Sequence, residues 1–241
     1  MSRRTACIVQ ARLGSTRLPG KVLEPLGDAS VLEHVLRRCQ AITGVDTVVC
    51  ATVPGRDGDP VAALAEKLAV NVFRGSESDV LARYHGAAHA AEADIVLRVT
   101  SDCPLIDPEI CAAVLRLREE SDADYAANNM PPSWPHGLDC EAFTIAALDE
   151  AAETATLAED HEHVTPWIRR NRAYHRVNLS GPGGELIEQR WTLDYPEDLA
   201  FLREIYERLP KGGPGRSWRA AAAIVSREPT LSLINEARRQ R

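Results

Sequence analysis

No Cys-x-x-Cys pair occurs in this 241-residue chain, and no histidines accompany its cysteines at zinc-finger distances. A zinc ribbon and a dithiol redox centre are thereby excluded. The six cysteines, Cys7, Cys39, Cys50, Cys103, Cys111 and Cys140, are irregularly spaced. They are expected to be buried free thiols, because a chain with 44% hydrophobic residues needs no disulfide framework. Long apolar runs are missing too. Arg3 and Arg4 are not followed by a signal-peptide core and no segment approaches a membrane span, so a cytoplasmic protein without membrane contact is expected. Positive charge is in deficit: 28 Lys and Arg against 35 Asp and Glu leave a net charge of -7, which argues against a general nucleic-acid surface. The dinucleotide fingerprint, the Walker P-loop, the nucleophile elbow and the His-Glu-x-x-His zinc motif are all absent. There is no internal repeat. Proline and glycine gather only in short stretches, residues 131–135, 181–184 and 210–215, which read as loops and not as interdomain spacers.

What is present is alternation. Strand-like segments at 5–9, 46–51, 70–73 and 94–100 interleave with helical ones at 31–39, 60–68, 78–91 and 107–120, the pattern of consecutive parallel βαβ units. Ser30 to Glu33 has the capping-box form, and Asp59 before Pro60 reads as a capping carboxylate. Past residue 122 the pattern weakens, with strands expected near 124–127, 141–143, 175–179 and 189–193. Helices are expected from 145, from 160, over 196–209 and over 231–239, the last packing on the outside. The fold class is α/β, a single doubly wound, mostly parallel sheet in one domain spanning residues 1–241.

Directly after the first strand stands Gln10-Ala11-Arg12-Leu13-Gly14-Ser15-Thr16-Arg17-Leu18-Pro19-Gly20-Lys21. Gly14 and Ser15 let backbone N–H groups approach an anion, and Arg12, Arg17 and Lys21 add positive charge to an acidic protein. Charge alone would equally describe a solvated surface loop. The ligand that suits the loop is a nucleoside triphosphate. In an open sheet such ligands sit beyond the carboxyl ends of the strands, so this loop and Ser101-Asp102, which follows another strand, are expected to share a mouth.

The run Ala11-Arg12 followed by Ser15-Thr16-Arg17-Leu18-Pro19-Gly20-Lys21 resembles the signature loop of the cytidylyltransferases that activate sugar acids, such as 3-deoxy-manno-octulosonate cytidylyltransferase. With Gln10 and the later His136-Gly137-Leu138-Asp139-Cys140-Glu141, the chain resembles still more the spore coat polysaccharide biosynthesis protein F group. The resemblance covers about residues 5 to 205. It implies a Rossmann-like, GT-A-like nucleotidyltransferase with CTP as donor, Mg2+ as cofactor and a homodimeric state. It also implies a nucleotide-binding half over about 1–122, an acceptor half over about 123–210 and a helical tail over 211–241.

Asp102 follows the strand at 95–99, where a lone carboxylate faces the crevice, and Asp194 precedes the Pro196 helix. Spacing alone also describes both as caps. The resemblance makes them the magnesium ligands and, with Arg12 and Lys21, the catalytic set; Cys103 stands where the octulosonate enzymes have Glu. Nucleotide contacts are expected from Gln10, Ala11, Arg12, Gly14, Ser15, Arg17, Lys21, Ser76 and Asp79, the last two for base and ribose, although helix capping fits Ser76 as well. His136, Asp139, Glu141, His163 and Arg169 are expected to bind the acceptor. His161 and His163, two apart, point to different helix faces and so are not a metal pair. The resulting expectation is transfer of CMP from CTP to a sugar acid of 3-deoxy-2-ulosonic or nonulosonic type, with release of pyrophosphate. A phosphonate or sugar-phosphate acceptor, and a CTP sensor without turnover, are the alternatives.

Overall fold

The strand Thr5–Gln10, β1, is buried along its length except at Gln10, as a parallel strand covered on both faces must be. The structure, a computed structural model, describes residues 3–211 and 216–239, so residues 212–215 of the third Pro/Gly stretch lie outside it. A two-stranded hairpin, β2 (Pro25–Leu26) and β3 (Ala29–Ser30), follows β1. The main sheet adds β4 (Thr47–Thr52), β5 (Asn71–Arg74), β6 (Ile95–Thr100), β7 (Tyr125–Ala127), β8 (Glu141–Thr144) and β9 (Arg176–Asn178). Their spatial order is β5-β4-β1-β6-β8-β7-β9. The first four in that order are parallel, β8 runs antiparallel to both its neighbours, and β9 is parallel to β7.

Side-chain alternation divides the core in two. Cys7, Val9, Leu97 and Val99 face one layer, which holds α1 (Val31–Gln40), α2 (Asp59–Lys67), α4 (Pro108–Glu120), α8 (Pro196–Arg208) and α9 (Trp218–Arg227). Ala6, Ile8 and Val96 face the other, which holds α3 (Val80–Ala90), α5 (Ile145–Thr154) and α7 (Pro166–Arg170), with α6 (Ala158–His163) packed on α3. From β1 the chain winds outward to β4 and β5 on one side. Helix α3 then crosses the opposite face to deliver β6 on the other side of β1. The reversal opens a crevice at the ends of β1 and β6, where a doubly wound sheet binds its ligand. All six cysteines are buried and free. No described helix is long and apolar enough to cross a membrane.

The starts of α1 and α4 obey their expected caps. Ser30 Oγ accepts the Glu33 N–H at 3.3 Å and Asp107 accepts the Glu109 N–H at 2.9 Å. The Glu33 carboxylate, however, takes Arg37 at 2.8 Å and so serves the next turn of α1. Asp59 does not cap α2: it lies within the first turn, behind Gly58, and pairs with Arg74 at 2.9 Å. Residues 189–193 are not a strand. That segment is extended but carries a single bridge, His136 to Arg190, and leans on the end of β6 through individual hydrogen bonds. The expected helix at 231–239 is instead a pair of 3-10 turns, Pro229–Leu233 and Glu236–Arg238, preceded by α9. It is not an external appendage either, since Asn235 is buried and bonded to Asp198.

Candidate active site

Beyond Gln10 the chain turns sharply. The Leu13 carbonyl accepts the N–H groups of both Ser15 and Gly20, and Ser15 Oγ accepts the Leu18 N–H, closing the loop on itself. Gly20 has φ 72°, a left-handed conformation, and opens the 3-10 turn Lys21–Leu23. That turn carries Lys21 under the crevice. Its ammonium donates to Asp102 at 2.8 Å, Asp194 at 2.9 Å and the Leu193 carbonyl at 2.7 Å.

Asp102 and Asp194 meet because β6 and the segment before α8 are laced together. The Asp102 carbonyl accepts the Leu193 N–H at 2.8 Å and the Thr192 hydroxyl at 3.3 Å. Asp194 then accepts Arg17 at 2.8 Å on one oxygen and Arg190 at 2.8 Å on the other. It does not cap α8. Tyr195 is the N-cap, and the fully buried Asp198 accepts the N–H groups of Asp194 and Tyr195 together with Arg190. With capping done by Asp198, the Asp194 carboxylate is free to face the cleft. Three cations (Lys21, Arg17, Arg190) thus offset three carboxylates (Asp102, Asp194, Asp198).

Burial opposes charge on Lys21, but Asp102 and Asp194 outweigh it and raise its pKa above the ordinary lysine value. Burial would likewise lift Asp102 and Asp194, yet Lys21 prevails and both carboxyls titrate below the ordinary aspartate value. Burial and the adjacent Asp102 push the Cys103 thiol well up, so it stays protonated and is no nucleophile. Its sulfur lies against the Thr100 hydroxyl at 3.2 Å.

The cleft over this cluster measures about 830 Å³, and both the strand-end loop and Asp102 line it. A family model described as cytidylyltransferase matches residues 6–208. The chain belongs to the cytidylyltransferase family. It is 31% identical over 237 residues to spore coat polysaccharide biosynthesis protein SpsF of Bacillus subtilis, covering 95% of this chain and 97% of that protein. A 3-deoxy-manno-octulosonate cytidylyltransferase of Maricaulis maris is 37% identical over 226 residues, covering 84% of each. The structure of a cytidylyltransferase from Leptospira borgpetersenii superposes with TM-score 0.88 at 28% identity, covering 96% of this chain and 97% of that one. This cytidylyltransferase is therefore a CTP-utilising nucleotidyltransferase on a Rossmann-like sheet.

Of the residues expected from sequence, Gln10, Ala11, Arg12, Gly14, Ser15, Arg17, Lys21, Asp102, Asp194, His136, Asp139 and His163 all line the cleft of this enzyme. The side-chain carbonyl of Gln10 is buried there with no hydrogen-bond partner. Ser76 and Asp79 do not line it. Ser76 Oγ accepts the Asp79 N–H, and Asp79 caps α3 through the Ala82 N–H at 2.8 Å while its other oxygen accepts His161 at 2.9 Å. His161 and His163 do diverge, the former to Asp79 and the latter to the cleft.

Glu141 is a correction. It is 2% exposed, beneath the cleft floor and not in it, because β8 turns this side chain toward the α3 layer. There it pairs with Arg98 at 2.6 Å, directly opposite on β6, and accepts the hydroxyls of Tyr125 and Thr165. Arg169 also stands back, bonded at 3.1 Å to Asn129, which does line the cleft. Sequence reading missed Arg83 and Arg98. Both line the cleft, both are mostly buried, and each has an Nε without a partner. The signal for Arg98 was an arginine inside an otherwise apolar strand.

Proposed function

We propose that this cytidylyltransferase transfers CMP from CTP to a sugar acid of 3-deoxy-2-ulosonic or nonulosonic type, with magnesium at Asp102 and Asp194. The observation that carries the reading is the Lys21 ammonium, clasped by both carboxylates at 2.8 and 2.9 Å. A cation already stands between them, and the donors are hard carboxylate oxygens of the kind magnesium takes. When bound, magnesium would supply Lewis-acid charge neutralisation at the α-phosphate.

The chain's own groups account for the rest. The acceptor hydroxyl passes its proton to solvent water as its oxygen bonds the α-phosphorus, and the bond to the bridging oxygen of the β-phosphate breaks, its electron pair leaving on the pyrophosphate. Arg12, Arg17 and Lys21 hold the departing pyrophosphate, and fixed charges of this sort need no reorganisation during the reaction. The Gln10 carbonyl, buried and unpartnered, suits a donor such as the exocyclic amine of cytosine. Arg83, whose Nε has no partner, adds positive charge to the α3 side of the cleft, in keeping with an anionic acceptor among Asn129, His136, Asp139 and His163. The relatives named as spore coat polysaccharide and octulosonate enzymes favour a sugar acid for surface glycan synthesis. The homodimer belongs to the same reading, and sedimentation velocity measures it.

The test is pyrophosphate release with Mg2+ and CTP against 3-deoxy-2-ulosonic acids, nonulosonic acids, aminoethylphosphonate and sugar phosphates. Release with a sugar acid is the expected result. Release only with a phosphonate or sugar phosphate would overturn the acceptor class, and release undiminished by chelating magnesium would overturn the metal.

A further inference from the structure

On the α3 layer, away from the nucleotide cleft, two histidines and an aspartate converge. His85 and His89 are one turn apart on α3 and therefore share a face. Asp149 reaches them from α5. Both imidazoles donate from Nε2 to the same oxygen, Asp149 Oδ1, at 2.9 and 2.7 Å. The rings stand edge to face with centroids 4.5 Å apart, and the three donor atoms lie within 4.8 Å of one another.

A clasp between helices needs only one such hydrogen bond. Here two nitrogens of one helix converge on a single oxygen of another, on a side open to solvent, where the side chains are 36%, 52% and 37% exposed. A tetrahedral ion with bonds of about 2.0–2.1 Å holds neighbouring ligand atoms roughly 3.3 Å apart. Each histidine nitrogen needs to move only about half an ångström from Asp149 Oδ1 to reach that spacing, and the two nitrogens already lie within 4.8 Å of each other. The geometry points to a divalent transition-metal site of the zinc type, held by His85, His89 and Asp149 with water as fourth ligand, bracing α3 to α5. Two imidazoles and one carboxylate select zinc, cobalt or nickel and reject magnesium, which takes oxygen donors. The site is thus chemically separate from the nucleotide's metal. Its brace acts on the helix whose first turns present Val80 and Arg83 to the cleft.

The experiment uses full-length protein stripped with a chelator, then titrated with Zn2+ against a chromophoric competitor in excess Mg2+. One zinc equivalent should bind, and the melting temperature should rise with it. His89→Ala should weaken binding by at least about 100-fold, since even changes to the outer partners of metal ligands cost 10–100-fold. His85→Gln should do the same, while Asp102→Asn/Asp194→Asn should still bind one equivalent. Cobalt should show the visible bands of a tetrahedral ion in the wild type and lose them in His89→Ala. His89 is half exposed, so the metal-free melting temperature of His89→Ala checks that the variant is folded. Failure of the wild type to take up zinc, or equal uptake by His85→Gln and His89→Ala, would reduce the trio to a hydrogen-bonded clasp.

Discussion

Lys21 joins residues 81 and 173 positions away in sequence, Asp102 and Asp194, and each charge favours the ionised form of its partner. The depressed carboxyls stabilise the fold above the ordinary aspartate value near 3.9, and that stability is lost as pH falls through their lower folded values. Lys21, with its pKa raised, contributes below its ordinary value near 10.4 and loses that contribution as pH rises through its higher folded value. The contribution is therefore flat between about pH 4 and about pH 10. Asp102→Asn/Asp194→Asn should be less stable at neutrality and show a shallower loss of urea midpoint on acidification. An unchanged acid slope would place the responsible carboxyls elsewhere. Asp102→Asn alone should lower turnover by about 100-fold or more while CTP binding stays measurable by calorimetry. Lys21→Ala should weaken CTP binding more than CMP binding.

The Arg98–Glu141 pair makes a different prediction. With Glu141 shut away from solvent, Glu141→Gln leaves a guanidinium under the cleft without its counter-charge, a change that typically costs about 3–5 kcal/mol. Urea unfolding should register that loss, and Arg98→Gln/Glu141→Gln should restore part of it. At this scale the sequence showed what belongs to loops. Arg12, Arg17, Lys21, Asp102 and Asp194 were legible through the motifs that resemble the sugar-acid cytidylyltransferases, since charge and spacing alone describe a solvated loop and helix caps equally well. Arg98 and Glu141 were misread or missed because their partnership crosses 43 residues, and only the β6–β8 register makes them neighbours.

Among the elements, those with local signals were legible. Ser30, Asp107 and Pro108 marked the starts of α1 and α4, and the parallel units were evident from their spacing. Residues 189–193 misled because Trp191 and Leu193 alternate inward as a strand would, while the hydrogen bonds go singly to His136 and Asp102. Gly137 makes that arrangement possible. Its φ is 111°, and a Cβ there would stand 2.5 Å from the Trp191 backbone carbon. Gly137→Ala should therefore push away the segment that carries Asp194. We expect a loss of roughly 1–3 kcal/mol from overpacking, read by thermal melting, together with a fall in kcat. A variant with wild-type melting and turnover would show that the segment tolerates displacement. Val164 is a second strained point: at φ 71° it lies between His163, which lines the cleft, and Thr165, whose hydroxyl meets Glu141.

For the molecule as a whole, the α/β plan with helices on both faces of the sheet, and the crevice at the ends of β1 and β6, follow from the alternation of apolar segments. The antiparallel insertion of β8 and the place of the tail do not, because both depend on contacts between distant parts of the chain. The tail is the more consequential. Asn235 donates to the Arg190 carbonyl at 2.9 Å and to Asp198 at 3.0 Å, and Arg238 pairs with Glu197 at 3.1 Å while lying over the Tyr195 ring. Asn235→Ala should lower the melting temperature and reduce turnover several-fold, since Arg190 and Asp198 hold Asp194 in place. Wild-type turnover in a destabilised Asn235→Ala would confine the tail to a structural role.

The buried latch at Asn235 lies outside the stretch, 6–208, that matches the family, yet it grips the residues that orient Asp194. A protease nick between α9 and Asn235 would leave every family-matched residue intact and still unfasten the site from behind. Cleavage in the exposed stretch 228–230 would then lower turnover by loss of a fastening and not by damage to the site's chemistry.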